Sequence, residues 1–122
     1  PPSTGPTTAD NDPKTMETLQ ILIRTDKNIE SSAGLEEHVR NNVNKAMAHF
    51  DERLTRVEVH LRDVNGDKFG ERDHECMMEA RLRGLKPLAV THADSNLHQA
   101  IAGAAERLRN AVANLVGRME AR

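Results

Sequence analysis

Two periodicities share this chain, and their order limits the folds open to it. In four stretches apolar side chains recur every second residue, the pattern of a strand with one covered face. In two longer stretches they recur every third or fourth residue, the pattern of a helix with one apolar stripe. The first alternating run is residues 19–26, where Leu19, Ile21 and Ile23 interleave with Gln20, Leu22 and Arg24. Ser32 then reads as an N-cap, with Glu36 and Glu37 suited to the first turn. Leu35, Val39, Val43, Met47 and Phe50 follow at helical spacing and predict about four to five turns. Residues 56–63 alternate again, with Val57, Val59 and Leu61 on one side. Asn65-Gly66 opens a polar turn region that runs to Asp73. Residues 74–83 form a third run, in which Cys76, Met78, Ala80 and Leu82 share a row. Gly84 marks a turn, and residues 87–92 give a fourth strand with Pro87 at its tolerated first position. Ser95 reads as the next N-cap. From there Leu97, Ile101, Ala104, Leu108, Val112, Leu115 and Met119 trace a long stripe that Gly103 and Gly117 weaken locally.

The predicted order is β-α-β-β-β-α. It implies an α+β single domain, a four-stranded sheet with two helices packed on one face. The other sheet face would carry Glu58, His60, Arg62, Glu75, Glu79 and Arg81, whose mixed signs suit cross-strand pairing. No internal repeat or heptad run interrupts this scheme. At 122 residues the chain has the length of one domain. Four of the five prolines (Pro1, Pro2, Pro6 and Pro13) fall in residues 1–18, which hold too few apolar groups to offset ordering entropy. That segment is expected to be disordered, leaving residues 19–122 as the folded domain.

Composition narrows the function classes. Seventeen Lys and Arg against nineteen Asp and Glu give a net charge of −2, so a uniformly basic nucleic-acid coat is absent. Phe50 and Phe69 are the only aromatic residues of the Phe, Trp and Tyr class, so base-stacking platforms are excluded. No apolar run approaches the roughly 20 residues that span a bilayer. The N-terminus has no apolar signal-peptide core. A single cysteine, Cys76, excludes an internal disulfide and a multi-cysteine metal site. An intracellular, cytoplasmic protein is expected.

Motifs for chemistry are weak. Residues 63–70 resemble the start of a calcium loop, but Lys68 stands where the loop needs Gly and His74 where it needs a bidentate Glu. His74, Cys76 and His92 could approach one another, yet a fourth zinc ligand is not apparent. Cys76 lies on the predicted core row, where a thiol is packed and inert. No convergent catalytic constellation is present, so neither an enzyme, a cofactor nor a metal is expected. The basic residues are more suggestive. Arg24, Lys45, Lys86, Arg107, Arg109 and Arg118 come from different elements. Arg107 and Arg118 are eleven residues apart and share a helix face, whereas Arg107 and Arg109 diverge by about 200°. Separated cations on helix flanks can meet phosphates without stacking, although a solvated face is the commoner meaning.

These residues resemble a family over positions 19–119. Leu35, His38-Val39, Val43 and Lys45 match the first helix of the ribosome hibernation-promoting factor and ribosome-associated inhibitor family, also called sigma-54 modulation proteins. Residues 54–61 (LTRVEVHL) match its second strand, and Asn96-Leu97-His98-Gln99-Ala100-Ile101 stands in place of its Asp-Met-Tyr-x-Ala-Ile. Residues 74–94 look like a divergent proteobacterial branch of short-form members. The double-stranded RNA-binding domain has a related order, but the basic cluster at its last helix is replaced here by Asn96-Leu97-His98-Gln99.

The resemblance implies the same β-α-β-β-β-α fold. It also implies a non-enzymatic bacterial factor that binds the small ribosomal subunit and 16S rRNA. Such a factor blocks translation during stress by occupying the channel for messenger RNA and for tRNA. The cations expected at rRNA are Lys45, Lys86, Arg107, Arg109 and Arg118. Of these, Lys45, Arg107 and Arg118 fall where the family tends to carry a basic residue. Asn42, Asn110 and Asn114 stand where it often has Arg or Lys, and Glu36 replaces another, which implies weaker, less salt-dependent binding. His98 occupies a position that is usually aromatic. No small-molecule substrate, membrane contact or long-form C-terminal dimerisation domain is expected. The alternative is a protein-binding module of the same fold that has lost ribosome affinity.

Overall fold

The computed structural model describes residues 20–27, 29–50, 52–63 and 74–120. The elements follow the predicted order: β1 (Gln20–Thr25), α1 (Ala33–Ala46), β2 (Leu54–Asp63), β3 (His74–Leu82), β4 (Leu88–Asp94) and α2 (Leu97–Glu120). The four strands form one sheet in the order β1-β2-β3-β4. β1 runs parallel to β2, which requires a crossover, and α1 supplies it. The β2–β3 and β3–β4 pairs are antiparallel. Residues 1–18, expected to be disordered, and residues 64–73, which hold most of the calcium-loop resemblance and the polar turn region, lie outside the described residues.

Register explains why one sheet face is covered. Val57, Val59 and Leu61 lie opposite Ala80, Met78 and Cys76, and all six are buried. Both helices pack on that face. α1 contributes Leu35, Val39, Val43 and Ala46, and α2 contributes Ile101, Ala104, Leu108 and Val112. The core is aliphatic with methionine as filler; Met47 and Met78 are among its largest buried side chains. Phe50 packs against its margin, half-buried.

Element ends differ from the sequence expectation in instructive ways. Ser32 caps α1 as expected, with Oγ accepting from the Leu35 amide at 3.1 Å. The helix stops at Ala46, however, and the expected turn through Phe50 is a separate 3-10 turn, Ala48–Phe50. β4 begins one residue after Pro87 and continues past His92 to Asp94, leaving two residues before α2. The cap of α2 is therefore Asn96, not Ser95. Asn96 Oδ1 accepts from the Gln99 amide at 3.1 Å, and the Asn96 carbonyl takes the first helical bond from Ala100. Gly84 sits in the β3–β4 turn at φ 75°, closed by the Leu85 amide donating to the Leu82 carbonyl at 3.1 Å. A side chain would be strained at that left-handed position.

Candidate nucleic-acid interface

On α1, His38, Asn42 and Lys45 are spaced by four and three residues, so they share one face, and His49 follows from the 3-10 turn beyond the helix end. On α2, His98, Ala102, Ala105 and Arg109 do the same at four, three and four. The fold sets these two faces side by side. At one end the His38 and His98 rings stack, with centroids 4.1 Å apart and planes 20° from parallel. Asn42 supports the stack by donating from Nδ2 to the His38 carbonyl at 2.8 Å. His38 Nε2 lies 3.4 Å from the His98 carbonyl. An imidazole thus makes the ring contact at a position where an aromatic was the expected residue.

Farther along, Ala46, Ala102 and Ala105 present only methyl groups, and the helices leave a trough of about 490 Å³. Asn42, Lys45, His49, Glu106 and Arg109 rim it. Lys45 and Arg109 thus come together from separate helices. Arg107 leaves α2 on its other flank, toward β4, as its divergence from Arg109 required. Arg118 is exposed near the end of the same helix, and Lys86 is exposed in the β3–β4 turn. Arg24 lies on β1, opposite His60 in the register and apart from the helical cations. Sequence reasoning did not assemble the trough or single out His49 and Glu106. The spacing of His38, Asn42 and Lys45 on α1 was the available signal, but only the helix–helix contact turns it into a site.

Several arginines of the open sheet face are paired, whereas the trough cations are not. On the open sheet face, Glu58 lies 3.0 Å from Arg56 and 3.8 Å from Arg81. Arg62 meets Glu75 at 3.0 Å, and Arg81 also lies 3.9 Å from Glu79. Arg56, Arg62 and Arg81 are thus paired, while Arg24 on β1 is exposed without an acidic partner among the described residues. Among the described residues, Lys45, Lys86, Arg109 and Arg118 have no acidic partner at salt-bridge distance and are all exposed. Three of these four come from the helices. Exposed cations without internal partners are available to external anions, and phosphate is a matching one.

The histidine and cysteine residues take other roles. Among the described residues no group of three or more His, Cys, Asp or Glu could hold a metal ion. His92 Nδ1 instead accepts from Arg107 Nε at 3.2 Å, and its Nε2 lies 3.6 Å from Asp94 Oδ2. Cys76 is fully buried, and desolvation, helped by the Glu75 charge, pushes its thiol up to about 12. Two results are expected. Folded protein should resist a disulfide reagent at pH 8, with the thiol reacting at the rate of unfolding; fast stoichiometric labelling would refute the burial. A thiol whose folded pKa is raised favours folding below its unfolded pKa. Between pH 9.0 and about 12 the unfolded chain loses the proton first, so stability should fall as pH rises through that window. Cys76→Ala should flatten that fall in alkaline denaturation curves. No helix of the described residues is long and apolar enough to cross a membrane.

Comparison with known proteins agrees with the geometry. The sequence matches the family described as Sigma 54 modulation protein / S30EA ribosomal protein over residues 22–120. No curated protein matches it. The fold is similar to the N-terminal domain of Protein Y from Thermus thermophilus, with TM-score 0.65 and 20% identity over 79% of this chain and 98% of that one. It is also similar to a ribosomal subunit interface protein from Coxiella burnetii, with TM-score 0.66 and 7% identity over 80% of this chain and 98% of that one. At such identities the likeness to the solved structures is one of fold. The family match spans nearly the whole of the described region, and the chain belongs to the Sigma 54 modulation protein / S30EA ribosomal protein family.

Proposed function

We propose that this protein is a non-enzymatic, ribosome-associated factor of the bacterial cytoplasm. It docks on the small subunit through its helical side and contacts phosphates of 16S rRNA. There it occupies the channel of messenger RNA and tRNA and damps translation under stress. Residues 19–122 act as the single ribosome-binding domain. The contacts come from Lys45 and Arg109 at the trough, with Arg107, Arg118 and Lys86 on the adjoining surface. The observation that carries this reading is the trough, where two helices bring Lys45 and Arg109 together, both exposed and without an acidic partner at salt-bridge distance among the described residues. Family membership supplies the ribosome as the partner. The Coxiella burnetii neighbour of similar fold is a ribosomal subunit interface protein, which fits the same partner.

The test is co-sedimentation of purified protein with small subunits across a salt series. Five phosphate contacts predict a fall of about 500-fold in affinity between 50 and 200 mM salt, if each contributes a logarithmic slope of about −0.9 as on duplex DNA. Competition by messenger RNA or initiator tRNA is expected. Absence of binding at low salt would overturn the proposal and favour a protein ligand for the same fold.

A further inference from the structure

β4 crosses under α2 at a close contact. The His92 imidazole lies against the backbone of α2 at Gly103, so near that a Cβ there would overlap ring atoms Cδ2, Nε2 and Cγ. Glycine at this point therefore admits the ring. One turn farther along α2, Arg107 donates from Nε to His92 Nδ1 at 3.2 Å. That bond requires a lone pair on Nδ1, and so places the imidazole proton on Nε2, where Asp94 Oδ2 lies 3.6 Å away. The result is a relay from Asp94 through His92 to Arg107. A guanidinium held by Nε keeps both terminal Nη groups free, and those can grip two oxygens of one phosphate.

We propose that His92 is the positioning residue for Arg107, holding its guanidinium by Nε so that the terminal nitrogens face an rRNA phosphate. This rests on the proposed ribosome contact. A long side chain fixed before binding loses less rotamer freedom on binding, which strengthens the contact without touching the ligand. The arrangement also depends on protonation. The groups around His92 are Asp94 on its own strand, Cys76 and His74 on β3, opposite His92 and Asp94 in the register, and Arg107 on α2. The Cys76 thiol stays neutral, so Asp94 and Arg107 are the formal charges that face the ring. A proton on Nδ1 removes the acceptor and sets a cation against the guanidinium. Arg107 is then released while His92 turns to Asp94.

Two substitutions separate this role from packing. His92→Phe keeps a ring over Gly103 but has no acceptor. His92→Asn places an amide oxygen close to the Nδ1 position. In the free protein, the Arg107 Nε–H resonance of labelled samples should exchange slowly near neutral pH. Measured against free arginine at the same pH, that protection should be lost in His92→Phe and kept in His92→Asn. On small subunits at fixed moderate salt, His92→Phe should lose about three- to tenfold in affinity, the effect of freeing one long side chain. His92→Asn should bind nearly as wild type, and His92→Phe should add nothing once Arg107 is Ala. Equal Nε–H exchange in wild type and His92→Phe would overturn the hold itself. Full additivity of the His92→Phe and Arg107→Ala losses would overturn the positioning role. A protected Nε–H with binding unchanged by Arg107→Ala would overturn it too, through failure of the Arg107 contact, and not of the hold.

Discussion

Gly103→Ala should destabilise this protein by about 2 kcal/mol, although alanine is the better helix former. In an open helix the substitution would gain about 1 kcal/mol from propensity. Here the added methyl overlaps the His92 ring down to Cγ, so rotation of the ring about its own bond to Cβ gives no relief. The imidazole must swing about χ1, or β4 must part from α2. Either movement gives up the Arg107 and Asp94 contacts and opens the covered edge beside Cys76 and Leu108. Costs of overpacking run to about 1–3 kcal/mol, and overlap with three ring atoms puts this site near about 3, which leaves about 2 kcal/mol after the propensity gain. Thermal unfolding should shift down by about 10 °C for a domain of this size. The decisive check is the background. With His92→Ala the obstruction is gone, and Gly103→Ala should change sign and stabilise by up to about 1 kcal/mol. A destabilisation that persists in that background would show that the ring is not the obstacle.

Much of the fold was legible because period two and period 3.6 are enforced by burial on one side of each element. Val57, Val59 and Leu61 had to face the same way as Cys76, Met78 and Ala80, and the register places them opposite one another. The strand order β1-β2-β3-β4 is not given by the periodicities and comes from the structure, with two antiparallel neighbours and one helical crossover. Element ends were less legible, for a physical reason. Ser95 and Asn96 can both cap a helix, and only the continuation of β4 to Asp94 decides for Asn96. Met47 and Phe50 fit helical spacing, yet their backbone leaves α1 for a tighter turn. The site was legible in part. Exposed cations and the divergence of Arg107 from Arg109 follow from helix geometry. The trough does not, because it exists only where Ala46, Ala102 and Ala105 from two helices meet. The roles of His92 and His98 were hidden for the same reason. Each is defined by a partner on another element, Arg107 and His38 respectively.

Net charge hides more than it reveals in this chain. A value of −2 argues against a nucleic-acid partner only if charge is mixed evenly over the surface. Here Glu58, Glu75 and Glu79 are engaged with sheet arginines, so they do little to offset the helical cations. Screening strengthens the distinction, since at physiological salt a charge acts over about 8 Å. A phosphate at the trough meets Lys45 and Arg109 as near neighbours, with Glu106 as the local opposing charge.

Reversing both trough cations should therefore abolish most small-subunit binding. Lys45→Glu with Arg109→Glu removes two phosphate contacts and sets two further carboxylates beside Glu106. A charge-assisted hydrogen bond is worth about 1.5–3 kcal/mol, and exposure pulls each toward the low end. The pair predicts a loss of at least about 100-fold, equal to about 2.7 kcal/mol. The logarithmic salt slope should become shallower by about two, since two counterion-releasing contacts are gone. Stability should barely move, because both side chains are exposed and neither has an acidic partner among the described residues. Glu106→Gln offers the opposite sign: removing the one carboxylate at the rim should tighten binding by a few-fold without adding a contact. If the double reversal lowered affinity at every salt concentration by the same factor, the trough would be acting through shape and not through phosphate. If Glu106→Gln weakened binding, the carboxylate would have to be orienting a cation instead of opposing the anion. Salt-dependent loss in the first variant and gain in the second together identify this trough as the place where the helices meet the nucleic acid.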